Sequence, residues 1–131
     1  MSGTAPDSVL DASALIALLW EETGGSAVEP LLHRTAISAV NWVEVLQHYE
    51  ADGVSIRGKR QEVETIGIAV VEFTADDAAT VARLRAPTRK LGLSLADRAC
   101  LALALRFGVA AHTADRAWAD LDVGPTIVLI R

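Results

Sequence analysis

The chain has 131 residues, a mass of 13.9 kDa and a formal net charge of −5, and 51% of its residues are hydrophobic. That length suits one folded domain, and an apolar composition with only 22% charged residues and a mean hydropathy of +0.31 excludes an intrinsically disordered chain. Seventeen acidic against twelve basic residues argue, as a whole-chain total, against nucleic acid as a partner.

In chain order, Ser8-Val9-Leu10 reads as a first strand, followed by a helix over Ala12 to Glu22 that ends near Gly24-Gly25. Ser26 to His33 predicts a second, short helix, and Thr35 to Ser38 a second strand. Ser38 is a plausible N-cap for a third helix running to about Glu50 and closed by Asp52-Gly53. A polar helix over Ile56 to Ile66 precedes a β-branched strand, Ile68 to Phe73. Thr74 caps the next helix with Asp77 in capping-box position, and Pro87 is expected to interrupt it. Ser94 caps a helix reaching Phe107-Gly108, and strands follow over Val109 to Thr113 and Thr126 to Ile130. Strands alternating with helices imply a single-domain α/β sandwich around a five-stranded, mainly parallel sheet.

The segment Met1 to Ser8 lacks the charged start and long apolar core of a secretory signal. The apolar stretch Ala12 to Trp20 has nine residues, against about twenty for a membrane span. A soluble, cytoplasmic protein is expected. Cys100, the single cysteine, lies in an apolar run and is expected to be a buried free thiol.

In a parallel α/β sheet, ligands bind beyond the carboxyl ends of the strands, where strand order reverses. Asp11 falls at such an end, inside an apolar run, where a carboxylate is costly unless paired or coordinated. It is equally suited to cap the helix that follows. Asp97 has Cys100, Leu101 and Ala104 at i+3, i+4 and i+7, which turns it toward the apolar face of its helix. Ser94-Leu95-Ala96-Asp97 also reads as a capping box. Asp115 follows the fourth strand by two residues. Glu44, among Asn41, Gln47 and His48, would pass alone for part of a solvated face, with Trp42, Val45, Leu46 and Tyr49 packing inward.

Taken together, these positions resemble the PIN-domain ribonucleases, and closely the VapC-type toxins of toxin–antitoxin pairs. The blocks are Val9-Leu10-Asp11-Ala12-Ser13-Ala14-Leu15, Ser38-Ala39-Val40-Asn41-Trp42-Val43-Glu44, Leu93-Ser94-Leu95-Ala96-Asp97-Arg98-Ala99 and His112-Thr113-Ala114-Asp115-Arg116-Ala117-Trp118. Their order and context match from about Val9 to Ile130. One departure is His112, where the family more often has an apolar residue; it reads as a packing residue or proton partner rather than a ligand. The resemblance implies a Rossmann-like single PIN domain over residues 1–131 and an endoribonuclease that leaves 5′-phosphate and 3′-hydroxyl ends. It also implies a homodimer, held inactive by an antitoxin lying over the acidic cleft. The apolar residues of the first helix (Leu15, Leu18, Leu19, Trp20) suit either such surfaces or plain core.

Four converging carboxylates repel one another, and hard divalent cations relieve that conflict, so Mg²⁺ or Mn²⁺ is the expected cofactor. Zinc is disfavoured, because His33, His48 and His112 are scattered and no paired Cys or His has ligand spacing. On this reading Asp11 and Asp97 are the primary ligands. Glu44 and Asp115 act as a further ligand or through water, and Ser13 and Thr113 are hydroxyls that hold ligands or a scissile phosphate. Arg83, Arg85, Arg89 and Lys90 form one cluster for RNA phosphates and Arg57, Lys59 and Arg60 a second; both also read as solvated faces. Arg98 and Arg116 directly follow proposed ligands and suit phosphate contact or charge balance. Two rival readings stand beside this one. A haloacid-dehalogenase-type phosphatase needs a second Asp where Ser13 stands. A catalytically silent PIN-like binding module would ordinarily lack one of the acids, and all four are present.

Overall fold

In a computed structural model, which describes residues 5–131, five strands form one sheet in the order β3-β2-β1-β4-β5. They are β1 (Ser8–Leu10), β2 (Thr35–Ser38), β3 (Ile68–Val71), β4 (Ala110–Thr113) and β5 (Ile127–Leu129). Every neighbouring pair is parallel, with Leu10 opposite both Ile37 and His112. The helices are α1 (Ala12–Leu19), α2 (Ala39–Ala51), α3 (Lys59–Thr65), α4 (Ala75–Thr88) and α5 (Leu95–Phe107). The expected α/β sandwich with a five-stranded sheet is therefore present, and the sheet is wholly parallel.

Alternation along the strands divides the core in two. Leu10, Ile37 and Ile68 pack with Leu15 of α1, Trp42 and Val45 of α2 and Val63 of α3. Val9, Ala36 and Ala111 point the other way, against Leu84 of α4, Leu101 and Leu103 of α5, and Trp118. The inner strands β1 and β2 are buried along their whole length, as strands covered on both faces must be. The chain moves outward from β1 through β2 to β3, then crosses to β4 on the other side of β1. That reversal puts the switch point between the carboxyl ends of β1 and β4. Among the described residues, no helix is long and apolar enough to cross a membrane. Cys100 is free and fully buried. The signal-peptide reading of Met1 to Ser8 falls partly outside the described residues.

Several element boundaries differ from those expected. The helix expected over Ser26 to His33 is instead two single 3₁₀ turns, Gly25–Ala27 and Glu29–Leu31. Pro30 has no N–H to donate to Ser26, so one continuous α-helix cannot form there. The helix α3 begins at Lys59 rather than Ile56 because Gly58, at φ +77°, is left-handed. The first helix stops at Leu19, three residues short of Glu22. Pro87 does not interrupt α4, which runs to Thr88. It lies in the last turn, where only the bond to the Arg83 carbonyl is forfeited. The Thr88 hydroxyl donates to the Leu84 carbonyl at 2.7 Å and keeps that end tied. Gly67 sits at φ +103° before β3, and a Cβ there would lie 1.3 Å from the Leu32 carbonyl oxygen, so the turn admits only glycine.

Candidate active site

Asp11 follows β1 directly and caps α1, with 5% of its surface exposed. Its Oδ1 accepts from the Ala14 N–H at 2.8 Å and the Ser13 hydroxyl at 2.7 Å, and its Oδ2 accepts from the Thr113 hydroxyl at 2.5 Å. A carboxylate offers about four lone-pair positions. Three are taken here, and one on Oδ2 is left. Ser13 also accepts the Ala114 N–H at 2.9 Å, and Thr113 accepts the Asp115 N–H at 3.0 Å. The two hydroxyls thus join the end of β1 to the end of β4, across the switch point. The cap on α1 and the hydroxyl contacts from Ser13 and Thr113 coexist in Asp11.

Burial pushes the Asp11 carboxyl above the ordinary range. The Thr113 and Ser13 hydroxyls and the Ala14 N–H oppose that shift, and the charge of Asp97 adds to it. Glu44, on α2, is shifted up as well. Partial burial is the main cause, opposed by the Asn41 amide and reinforced by the charges of Asp97 and Asp11. These mutual effects bring Asp11, Glu44 and Asp97 into one electrostatic field. Asp97 stands in the first turn of α5 and forms the expected capping box: its Oδ2 accepts the Ser94 N–H at 2.9 Å, and the Ser94 hydroxyl accepts the Asp97 N–H at 3.0 Å. It is half-buried, so the capping box and the inward orientation are both realised.

Asp115 is placed differently. It is exposed, its Oδ1 accepts the Ala117 N–H at 3.0 Å, and it caps the 3₁₀ segment Arg116–Asp120. Its link to the other acids runs through Thr113. His112 is buried, its Nδ1 has no partner, and burial pushes the imidazole pKa down, which fits a neutral packing residue.

The cations fall into distinct groups. Arg83, Arg85, Arg89 and Lys90 are all exposed along the end of α4 and the 3₁₀ turn Arg89–Leu91. In the second cluster, Lys59 pairs with Glu62 at 3.0 Å and Arg60 with Glu64 at 3.1 Å, so these two cations are offset on their own helix, while Arg57 lies exposed before it. Arg98 is directed at α4, where its Nη1 donates to the Val81 carbonyl at 2.9 Å, so its guanidinium braces two helices. Arg116 is exposed and donates to the Arg131 carbonyl at 3.3 Å. Asn41 reads in the sequence only as a polar neighbour of Glu44. It is 1% exposed, and only its i,i+3 spacing to Glu44 hinted at contact.

The donor set is all oxygen, which suits Mg²⁺ or Mn²⁺ rather than zinc. Among the described residues, no three Asp, Glu, His or Cys side chains form a ready-made metal cage. Mg²⁺ retains several waters and needs only one or two carboxylates, so the free Oδ2 position of Asp11 and the neighbouring acids fit it.

This wholly parallel α/β/α sandwich, with Asp11 buried at its switch point, has known counterparts. The PIN domain family matches residues 8–124, and the chain belongs to it. Three solved structures share the fold. A toxin–antitoxin complex from Klebsiella pneumoniae has a TM-score of 0.73 at 21% identity, covering 95% of this chain and 98% of that one. DNA-bound VapBC from Salmonella typhimurium has a TM-score of 0.72 at 17% identity, covering 96% and 99%. FitAcB from Neisseria gonorrhoeae has a TM-score of 0.63 at 16% identity, covering 94% and 97%. No curated protein matches the sequence.

Proposed function

We propose that this chain is a Mg²⁺- or Mn²⁺-dependent endoribonuclease, the toxin of a VapBC-type toxin–antitoxin pair. The observation that carries the reading is Asp11, a buried carboxylate held by the Ser13 and Thr113 hydroxyls at the switch point of a PIN fold, with the charges of Asp97 and Glu44 nearby. Carboxylates held together against their own repulsion, in a site of oxygen donors, favour a divalent cation. Asp11, Asp97 and Glu44 would hold it, with Asp115 contributing directly or through water. A bound divalent cation lowers the pKa of water and stabilises charge developing on a phosphoryl oxygen.

The chain's own residues supply the rest. Ser13 and Thr113 each donate to one oxygen of the Asp11 carboxylate and leave one Oδ2 lone-pair position unclaimed. Arg83, Arg85, Arg89 and Lys90 are exposed for phosphate contact, Arg83 also donating to the Thr80 hydroxyl at 3.4 Å, with Arg116 nearer the acids in sequence. Arg98 is assigned to bracing α4 rather than to RNA. An antitoxin partner is supported by the toxin–antitoxin complexes that share the fold. A homodimer and a cytoplasmic location follow from the same family reading.

The test is cleavage of RNA by the purified chain. Cleavage should require Mg²⁺ or Mn²⁺, stop with EDTA, and fall at least 100-fold in Asp97→Asn. Asn can still accept the Ser94 N–H, so this variant keeps its cap. Metal-independent cleavage, or wild-type activity in Asp97→Asn at excess Mg²⁺, would overturn the reading. A folded chain inert toward RNA would favour the silent binding module.

A further inference from the structure

We propose that Asn41 is a positioning residue of this site: its buried amide sets Glu44 against Asp97 by tying α2 to the first turn of α5. The inference rests on the nuclease reading above and adds a residue to the same site. Asn41 Nδ2 donates to the Ala96 carbonyl at 2.9 Å and to Glu44 Oε1 at 3.4 Å. Ala96 immediately precedes Asp97. One NH₂ group therefore touches the backbone beside one acid and the carboxylate of another, and spends both its hydrogens doing so.

The orientation of the amide is forced. Turned over, its oxygen would face a carbonyl and a carboxylate, three acceptors together with no proton among them. In the orientation present, Asn41 Oδ1 is buried and has no hydrogen-bond partner among the described residues. An orphaned buried acceptor is a cost to folding. A residue that only packed α2 against α5 could be apolar and avoid that cost. Among the described residues, Asn41 is also the one protein group that hydrogen-bonds the Glu44 carboxylate, whose residue is otherwise exposed at the rim. Without that anchor, Glu44 is a flexible side chain whose place relative to Asp97 nothing sets. Because Ala96 and Asp97 are adjacent on α5, the same amide fixes both partners in one frame.

The experiment is a double-mutant cycle on the full chain, using Asn41→Leu, Asn41→Asp and Glu44→Gln. Three quantities are read: kcat and KM for Mg²⁺-dependent RNA cleavage, Mn²⁺ affinity by calorimetry, and Tm. Asn41→Leu keeps the branched shape with the same number of heavy atoms, drops both donors and removes the orphaned acceptor. It is expected to melt within a few degrees of wild type, lose at least tenfold in kcat with KM changed less than twofold, and bind Mn²⁺ several-fold more weakly. Asn41→Asp, which turns acceptors onto acceptors, should lose more. In a Glu44→Gln background, Asn41→Leu should cost less than twofold, because the group it positions is already gone. Folded Asn41→Leu with wild-type kcat and Mn²⁺ affinity overturns the proposal, as do losses that simply multiply with those of Glu44→Gln. If Asn41→Leu does not fold, the same cycle is run with Asn41→Asp; failure of both to fold assigns Asn41 to the scaffold and overturns the proposal. A wild-type chain without metal-dependent cleavage overturns the nuclease reading instead, and equal Mn²⁺ affinity in wild type and Asn41→Leu then decides separately against Asn41.

Discussion

Asp11 shows at the scale of one residue how a cap becomes a chemical group. Its side chain closes the N-terminus of α1 and accepts three hydrogen bonds, yet burial and the charge of Asp97 still hold its carboxyl above the ordinary range. A raised folded-state value means that the folded chain holds the proton more tightly than the unfolded one. Its contribution to stability is present below pH 3.8 and is lost as pH rises through the folded value. Ionising this group in the metal-free fold is therefore destabilising. Asn caps helices as well as Asp does. Asp11→Asn is accordingly expected to melt at or above the wild-type temperature without metal, while RNA cleavage falls at least 100-fold. A thermal melt paired with a cleavage assay checks both halves. The signal legible in the sequence was a carboxylate inside an apolar run. The hydroxyl clamp from Thr113, 102 residues away, was not, because it depends on β1 and β4 lying side by side.

Helix ends were the most legible features at the scale of elements. The capping boxes at Thr74 and Ser94 form as their spacing predicts, since a cap is made within four consecutive residues. What the helices do to each other was hidden. Asp77 does more than cap α4: Arg106 of α5 donates to both its carboxylate oxygens, with Nε 3.2 Å from Oδ1, and reaches the Glu72 carbonyl at 2.9 Å. Burial alone would raise the Asp77 carboxyl, but the Arg106 hydrogen bonds and charge and the Thr74 N–H outweigh it and hold it below the ordinary range. With a lowered folded value, the contribution is present above pH 3.8 and is lost as pH falls through the folded value. Asp77→Asn keeps a cap but loses the ion pair. It should cost about 2 kcal/mol at neutral pH, as hydrogen bonds to charged groups do, and flatten the acid side of the Tm-versus-pH curve. Denaturant melts between pH 3 and 7 test both. Pro87 shows the limit of local rules. A proline forbids helix only where its missing bond matters, and in a last turn with Thr88 beside it the helix continues.

The distribution of charge governs the whole molecule. Asp11, Glu44, Asp97 and Asp115 supply four of the five net negative charges, leaving −1 for the rest (−5 + 4 = −1). If Asp11, Asp97 and Glu44 bind the divalent ion, Mn²⁺ at about 100 times its Kd should stabilise the chain by about 2.7 kcal/mol. For a domain of this size, that corresponds to a rise in Tm of several degrees or more. The rise should be much smaller in Asp97→Asn, as scanning calorimetry would show. The exposed Arg83, Arg85, Arg89 and Lys90 make the complementary prediction. Changing all four to Ala should weaken binding of single-stranded RNA and reduce its salt slope by up to about 3, at about 0.7 per phosphate contact. An unchanged slope in a salt titration would mark the cluster as ordinary surface.

The sequence by itself determined the alternation of strands and helices, the helix caps and the placement of Asp11, Asp97 and Asp115 at strand ends or helix starts. Each of these is carried by residues within a few positions of one another, so local chemistry suffices to read them. Tertiary structure alone decided which charges meet. It placed Asp97 close enough to act on Asp11 and Glu44, connected Asp115 to them through Thr113, and turned Arg98 to the Val81 carbonyl. It also set the buried Asn41 amide between Glu44 and the backbone beside Asp97. The physical reason is sheet order: the crossover from β3 to β4 lays two strands a hundred residues apart against each other, and no local pattern records which side chains then face across the gap.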